Sequence, residues 1–328
     1  MPASCCGSGR AEVAAPPRPA PEDVRTVTCV GAGVIGGGWA AYFLARGYRV
    51  LAWDPAPDAE VRLRHLVDQA WPALTDLGLS PGASPDNLSV ERELAAAVAE
   101  TDLVQESAPE DLALKRRLLA DIDAVAPPEV VISSSTSGFA MSDMQVDCRL
   151  PERTVVGHPF NPPYLIPLVE VVGGRLTSPD VVDWTSRFFT AAGKSVITME
   201  REVPGFVANR LQEALWREAL HMVAAGEATV EQIDRSITDG PGLRWPVQGP
   251  CLTFHLAGGQ GGMAHMLDHF GPSLLSPWTR LVSTELTPQL RAEMVAGCER
   301  EADGRSVDDL VRERDRGVIA VLRALGRA

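Results

Sequence analysis

Long apolar runs are missing from this 328-residue chain. No stretch of about 18 apolar residues occurs, which excludes a transmembrane helix. Basic residues are in deficit, 30 Lys and Arg against 43 Asp and Glu, giving a net charge of −13. A surface of that sign repels nucleic acid and anionic membranes, so neither is an expected partner. The six cysteines (Cys5, Cys6, Cys29, Cys148, Cys251 and Cys298) include no CxxC and no Cys/His spacing of the zinc-binding kind. No metal is expected, and the thiols read as reduced side chains of a cytoplasmic protein. The first 24 residues lack a continuous apolar segment, so a secretory signal is not expected. The Pro-rich run 14–21 makes residues 1–23 read as a disordered lead.

What is present is a regular alternation of β-rich and helical stretches. Strands are expected at residues 24–30, 49–53, 88–90, 103–105, 130–133, 154–156, 168–172 and 195–199, with helices at 39–46 and 111–123. Such alternation implies βαβ units and a parallel, doubly wound α/β sheet of the Rossmann type over residues 24–202. Past Val203-Pro204-Gly205 the pattern turns helical, with helices expected at 206–225, 262–269, 288–301 and 307–325. Phe206, Leu211, Leu215, Leu220 and Val223 fall near one face of the first of these. Thr229-x-x-Gln232 has the form of a capping box. Residues 203–328 therefore read as an all-α C-terminal domain.

Gly31-Ala32-Gly33-Val34-Ile35-Gly36 is a GxGxxG run between an expected strand and an expected helix. Gly31 permits a tight turn, Gly33 lets backbone approach a pyrophosphate, and Gly36 allows close helix–strand packing. Alone the motif is weak in a chain with 29 glycines. Asp54 strengthens it by ending the next strand 18 residues after Gly36, where an acid accepts from adenosine ribose hydroxyls. That carboxylate would repel a 2′-phosphate, which favours NAD over NADP.

The densest polar chemistry lies in Gly157-His158-Pro159-Phe160-Asn161-Pro162 and Leu168-Val169-Glu170. Adjacent strands joined by a Pro-rich loop would bring His158 and Glu170 within hydrogen-bond reach. An imidazole suits proton removal from an alcohol near neutral pH, and a buried carboxylate would fix its tautomer. The hydroxyls of Ser133–Ser137 follow a strand at its carboxyl end, where parallel sheets place ligands. They either orient a substrate oxygen or form a solvated loop. Asn209 either supplies an amide to the cleft or sits on a helix surface.

Together these residues resemble the 3-hydroxyacyl-CoA dehydrogenase superfamily. The matching segments are Val30–Gly36, Val104-Gln105-Glu106 with Glu110 and Lys115, Ser134–Ser137, His158–Pro162 with Glu170, and Gly205–Arg210. The resemblance implies His158 as catalytic base or acid, Glu170 as its orienting partner, and Ser137 and Asn209 at the substrate oxygen. It places Gly31, Gly33, Val34, Ile35, Gly36 and Asp54 on NAD, with Glu106 and Lys115 near the nicotinamide end. Within the superfamily the carnitine dehydrogenase branch is nearest, on Gly242-Leu243-Arg244-Trp245 and the run from His158 to Gly174, with the L-gulonate 3-dehydrogenase (lambda-crystallin) branch next. Those branches act on free hydroxy acids as homodimers whose helical domains pack together. For a zwitterionic substrate such as carnitine, Arg244 would meet a carboxylate, and Trp245, Phe139, Phe254 or Trp278 would face a quaternary ammonium. The same aromatics would serve equally as core or interface residues. Departures include Ser135, where acyl-CoA enzymes commonly carry Asn, and the prolines of Gly240-Pro241-Gly242 and Pro246–Pro250. They leave open a ketoreductase for a β-keto acid or thioester, a 3-hydroxyacyl-CoA or L-gulonate dehydrogenase, and a crystallin-like nucleotide-binding protein.

Overall fold

A computed structural model describes residues 18–272, 278–281 and 283–327. They form two compact units. One comprises the chain up to Thr75 with Leu79–Pro204, and the other Gly205 onward with Asp76–Gly78.

The first unit is built on eight strands: β1 (Thr26–Val30), β2 (Arg49–Trp53), β3 (Leu88–Val90), β4 (Leu103–Glu106), β5 (Val131–Ser134), β6 (Thr154–Pro159), β7 (Leu168–Val172) and β8 (Ser195–Met199). Their order is β3-β2-β1-β4-β5-β6-β7-β8. All five residues of β1 are buried, as a central strand covered on both faces requires. The sheet departs from the expected parallel arrangement at one junction, where β7 runs antiparallel to β6. The cause is linker length: residues 160–167 are too few for a parallel crossover, which needs roughly a dozen or more, so the chain returns as a hairpin. Helix α6 (Pro179–Ala191) then makes β7 and β8 parallel to each other.

Helix α1 runs Val34–Ala45, beginning earlier than the expected 39. Three consecutive glycines sit inside it because packing overrides their poor helix propensity. A Cβ on Gly37 would come within 2.6 Å of Leu66, and one on Gly38 within 2.7 Å of Pro163. The helix is buried from Gly36 to Ala45. Trp39 stacks on Phe43 and on Phe189 of α6 at centroid distances of 5.1 and 5.4 Å. Three further helices complete this unit's scaffold: α2 (Ala59–Leu77), α3 (Leu94–Val98) and α4 (Leu112–Val125), with the short α5 at Met141–Met144. Helix α2 lies outside the expected elements because Pro72 interrupts its pattern, yet the chain stays helical through it.

Residues 18–23 belong to the fold rather than to the expected disordered lead. Pro21–Asp23 form a 3₁₀ turn, and Trp184 of α6 donates to the Pro19 carbonyl at 2.8 Å. The rest of that expected lead, residues 1–17, lies outside the described residues.

The second unit contains α7 (Ala208–Ala224), α8 (Val230–Thr238), α9 (Pro250–Ala257), α10 (Gly262–Phe270), α11 (Pro288–Ala302) and α12 (Val307–Ala324). Thr229 and Gln232 form the capping box of α8. A small core joins Val223, Val230 and Leu290. Of the expected apolar face of α7, Val223 is buried, while Leu211 and Leu215 are 57% and 47% exposed. Among the described residues no helix is long and apolar enough to cross a membrane.

Candidate active site

The glycine turn connects β1 to α1. Gly31 has φ +100°, and a Cβ there would meet the Ser107 carbonyl oxygen at 2.7 Å. Its N–H donates to the Trp53 carbonyl at 2.8 Å, stitching the turn to β2. A Cβ on Gly36 would fall 1.9 Å from the Gly31 carbonyl oxygen, so only glycine lets α1 start this close to the strand. Gly33 differs: nothing lies within 4 Å of its absent Cβ. Gly33 also caps α1 without a side-chain acceptor, leaving Val34 and Ile35 in a first turn whose amides no cap side chain claims. Open space before a helix N-terminus is what a pyrophosphate needs. The turn therefore fits a dinucleotide.

Asp54 at the end of β2 accepts from the Ala32 N–H at 2.8 Å and the Ala56 N–H at 2.9 Å. Arg62 of α2 reaches its carboxylate at 3.5 Å. The sequence argument missed this cation, because an arginine one helix turn beyond Asp58 gives no strand-adjacent signal.

His158 and Glu170 are direct partners in the β6–β7 ladder. Direct antiparallel partners share a face, and Nδ1 of His158 lies 2.8 Å from Oε2 of Glu170. Glu170 is fully buried between Val169 and Val171 on an apolar strand, so the imidazole offsets the desolvation of its carboxylate. Phe160 packs edge-on against the imidazole with centroids 5.3 Å apart. The pair stands at the carboxyl end of β6.

Ser137 lies on the loop after β5. Its backbone N–H and Oγ both reach Oε1 of Glu110, at 2.9 and 3.2 Å. The same oxygen accepts from Thr136 Oγ1 at 2.6 Å and Gly138 N–H at 3.1 Å. Glu110, which the resemblance named beside Glu106 and Lys115 without a role, thus gathers the serine loop around one carboxylate. Beneath it, Lys115 donates to Glu106 at 2.9 Å and lies 3.6 Å from Glu110. Glu106 also accepts from Ser134 Oγ and the Ala108 N–H. Glu106 and Lys115 are fully buried and meet the loops through Glu110 and the Ala108 backbone. Ser135 is a second hub, with its Oγ 2.6 Å from Gln105 Nε2, 3.2 Å from Trp39 Nε1 and 2.9 Å from Ser107 Oγ.

The remaining expected residues lie in the helical unit. Asn209 is in the first turn of α7. Arg244 and Trp245 line a cavity of about 460 Å³ together with Gln248, Thr253 and Phe254. Of the four expected aromatics, two therefore share a cavity with Arg244; Phe139 belongs to the first unit and Trp278 is 93% exposed.

A dinucleotide turn and a buried imidazole–carboxylate pair on one sheet are the equipment of an NAD-dependent oxidoreductase, and the comparisons with known proteins agree. Residues 26–203 match the family described as 3-hydroxyacyl-CoA dehydrogenase, NAD binding domain, and residues 205–296 match its C-terminal domain. An L-carnitine dehydrogenase of Streptomyces griseus subsp. griseus is 72% identical over 94% of this chain and 92% of its own length. One from Bacillus cereus is 51% identical over 92% and 93%. Among solved structures, an NAD+-dependent dismutase, FHMPC 5-dehydrogenase, superposes with a TM-score of 0.78 at 28% identity, covering 92% of this chain and 99% of that one. The chain belongs to the 3-hydroxyacyl-CoA dehydrogenase family, and within it groups with proteins described as L-carnitine dehydrogenases.

Proposed function

We propose that this protein is an NAD-dependent L-carnitine 3-dehydrogenase. The observation that carries the substrate is the cavity that Arg244, Trp245 and Phe254 line together. A guanidinium suits a carboxylate, and aromatic faces suit a quaternary ammonium. The similarity to curated L-carnitine dehydrogenases over nearly the whole chain supports the same substrate.

In this reading Gly31, Gly33, Val34, Ile35, Gly36 and Asp54 hold the cofactor, and Glu106 and Lys115 brace the loops at its nicotinamide end. When bound, NAD supplies the acceptor for the hydride leaving C3. His158 takes the C3 hydroxyl proton at Nε2 as the hydroxyl becomes a ketone. Glu170 holds Nδ1–H and stabilises the imidazolium that results. Ser137 and Asn209 hydrogen-bond the substrate oxygen, with Ser137 held in place by Glu110. In the reverse direction the imidazolium returns its proton to the ketone oxygen.

Initial rates with L-carnitine, gulonate, 3-hydroxybutyrate and acetoacetyl thioesters test the assignment. The expected outcome is the highest kcat/KM for L-carnitine with NAD. Arg244→Met should raise KM for L-carnitine on the order of 10- to 100-fold, the loss of one charge-assisted hydrogen bond. A thioester preferred over L-carnitine, with Arg244→Met indifferent, transfers the assignment to a ketoreductase.

We also propose a homodimer. Leu211, Leu215 and Trp216 are exposed along α7 in the single chain, and a second copy would cover them. Sedimentation equilibrium should return twice the chain mass; a monomer at micromolar concentration removes this proposal.

A further inference from the structure

Lys194, the residue before β8, is a buried charged side chain of the first unit, 5% exposed. Its ammonium sits 3.7 Å from the centroid of the Tyr42 ring and 5.0 Å from that of Trp39, both on α1. It donates to the carbonyl oxygens of Pro163 and of Ile166, the latter at 3.2 Å. Those carbonyls belong to the loop 160–167, which carries the chain from His158 to Glu170. Burial holds the amine well below the ordinary lysine range, and the nearby Arg46 adds to the effect. A methionine of similar length would fill the space without that desolvation, so the position is explained by its donors rather than by its volume.

The loop needs such donors. It holds Pro162, Pro163 and Pro167, which have no N–H, and the amides of Leu165 and Ile166 both turn back to the Pro162 carbonyl. Ser195 N–H adds a third tie, to the Pro167 carbonyl at 2.9 Å. Gly193, at φ +92°, turns the chain so that Lys194 enters the space beside α1. Tyr42 locks the approach by donating its hydroxyl to the Ala192 carbonyl at 2.7 Å. On the far side Pro163 presses against Gly38 of α1.

We propose that Lys194 is a positioning residue of the catalytic centre, tying the loop between His158 and Glu170 to the dinucleotide helix α1. The β6–β7 ladder sets the distance between His158 and Glu170, and the continuous sheet through β5, β4 and β1 sets where its strands stand relative to the glycine turn. The loop between those strands lies outside the ladder; the Lys194 clamp fixes it against α1, and Phe160 on the same loop packs against the imidazole. The role rests on the reading of His158 as the base.

The test is a double-mutant cycle of Lys194→Met with His158→Gln, using NAD and the panel substrate of highest kcat/KM, alongside an NAD titration of each variant. Lys194→Met should lower kcat on the order of 10- to 100-fold, the effect of displacing a reacting group by about 1 Å. NAD affinity should stay within about twofold, and the loss should vanish in the His158→Gln background, because the lysine acts through the imidazole. Lys194→Gln, which keeps an N–H donor, should recover part of the loss, and it carries the same cycle if Lys194→Met does not fold. A wild-type kcat per NAD-binding site in Lys194→Met, beside a crippled His158→Gln, overturns the proposal alone. Equal losses in both backgrounds also overturn it. A wild-type rate in His158→Gln removes the base assignment and this proposal with it.

Discussion

Replacing His158 with glutamine lowers kcat on the order of 10²- to 10⁴-fold, the usual contribution of a positioned general base. Glutamine keeps much of the imidazole's reach and can still hydrogen-bond Glu170, but it cannot take up a proton near neutral pH. The variant therefore separates proton transfer from shape. NAD affinity should stay within about twofold, because the glycine turn is held by the Trp53 carbonyl of β2 and by the Ser107 N–H on the Val30 carbonyl, and not by His158. Steady-state rates and an NAD titration on the same preparation check both halves. Near-wild-type turnover would remove His158 from the chemistry, leaving a dinucleotide-binding fold without an assigned base.

Alanine at Gly33 should weaken NAD binding on the order of 10- to 100-fold while leaving the cofactor-free protein as stable as the wild type, or slightly more so. The two halves have different causes. Gly33 has φ −80° and ψ −171°, which alanine adopts without strain, and its absent Cβ faces open space. At such a position a Gly→Ala change stabilises by about 0.4–1 kcal/mol through the unfolded chain. The added methyl, however, occupies the space where the motif lets backbone approach a pyrophosphate. Gly36→Ala makes the contrast, since its methyl collides with the Gly31 carbonyl and the turn itself must give way. Thermal unfolding without cofactor, followed by NAD titration, distinguishes them. Unchanged NAD affinity in a stable Gly33→Ala protein would mean that the cofactor lies elsewhere.

Much of the sheet was legible because its strands are short apolar runs closed by turn residues. The strands at 49–53, 88–90, 168–172 and 195–199 stand where the pattern put them. Strand direction was not legible, since periodicity reports which residues are buried and not which way a chain returns. The length of the 160–167 linker held that information. Helix α1 was expected to start at 39 because three glycines argue against a helix, and only the tight contacts with Leu66 and Pro163 explain why it starts at Val34. In the site, His158 and Glu170 stood out as polar residues within apolar runs. Lys194 did not, and Glu110 entered only through the resemblance, without a role. A lysine beside a glycine reads as surface, and a loop glutamate reads as solvated, until the fold supplies carbonyls for one and a set of N–H and O–H donors for the other.

Because His158 and Glu170 face each other as rungs of one antiparallel ladder, their spacing is inherited from backbone pairing and owes nothing to the residues between them. Insertions in the intervening segment would leave the two rungs opposed. Changes at the tip therefore leave the proton-transfer pair opposed, but they must keep the Pro163 and Ile166 carbonyls within reach of Lys194.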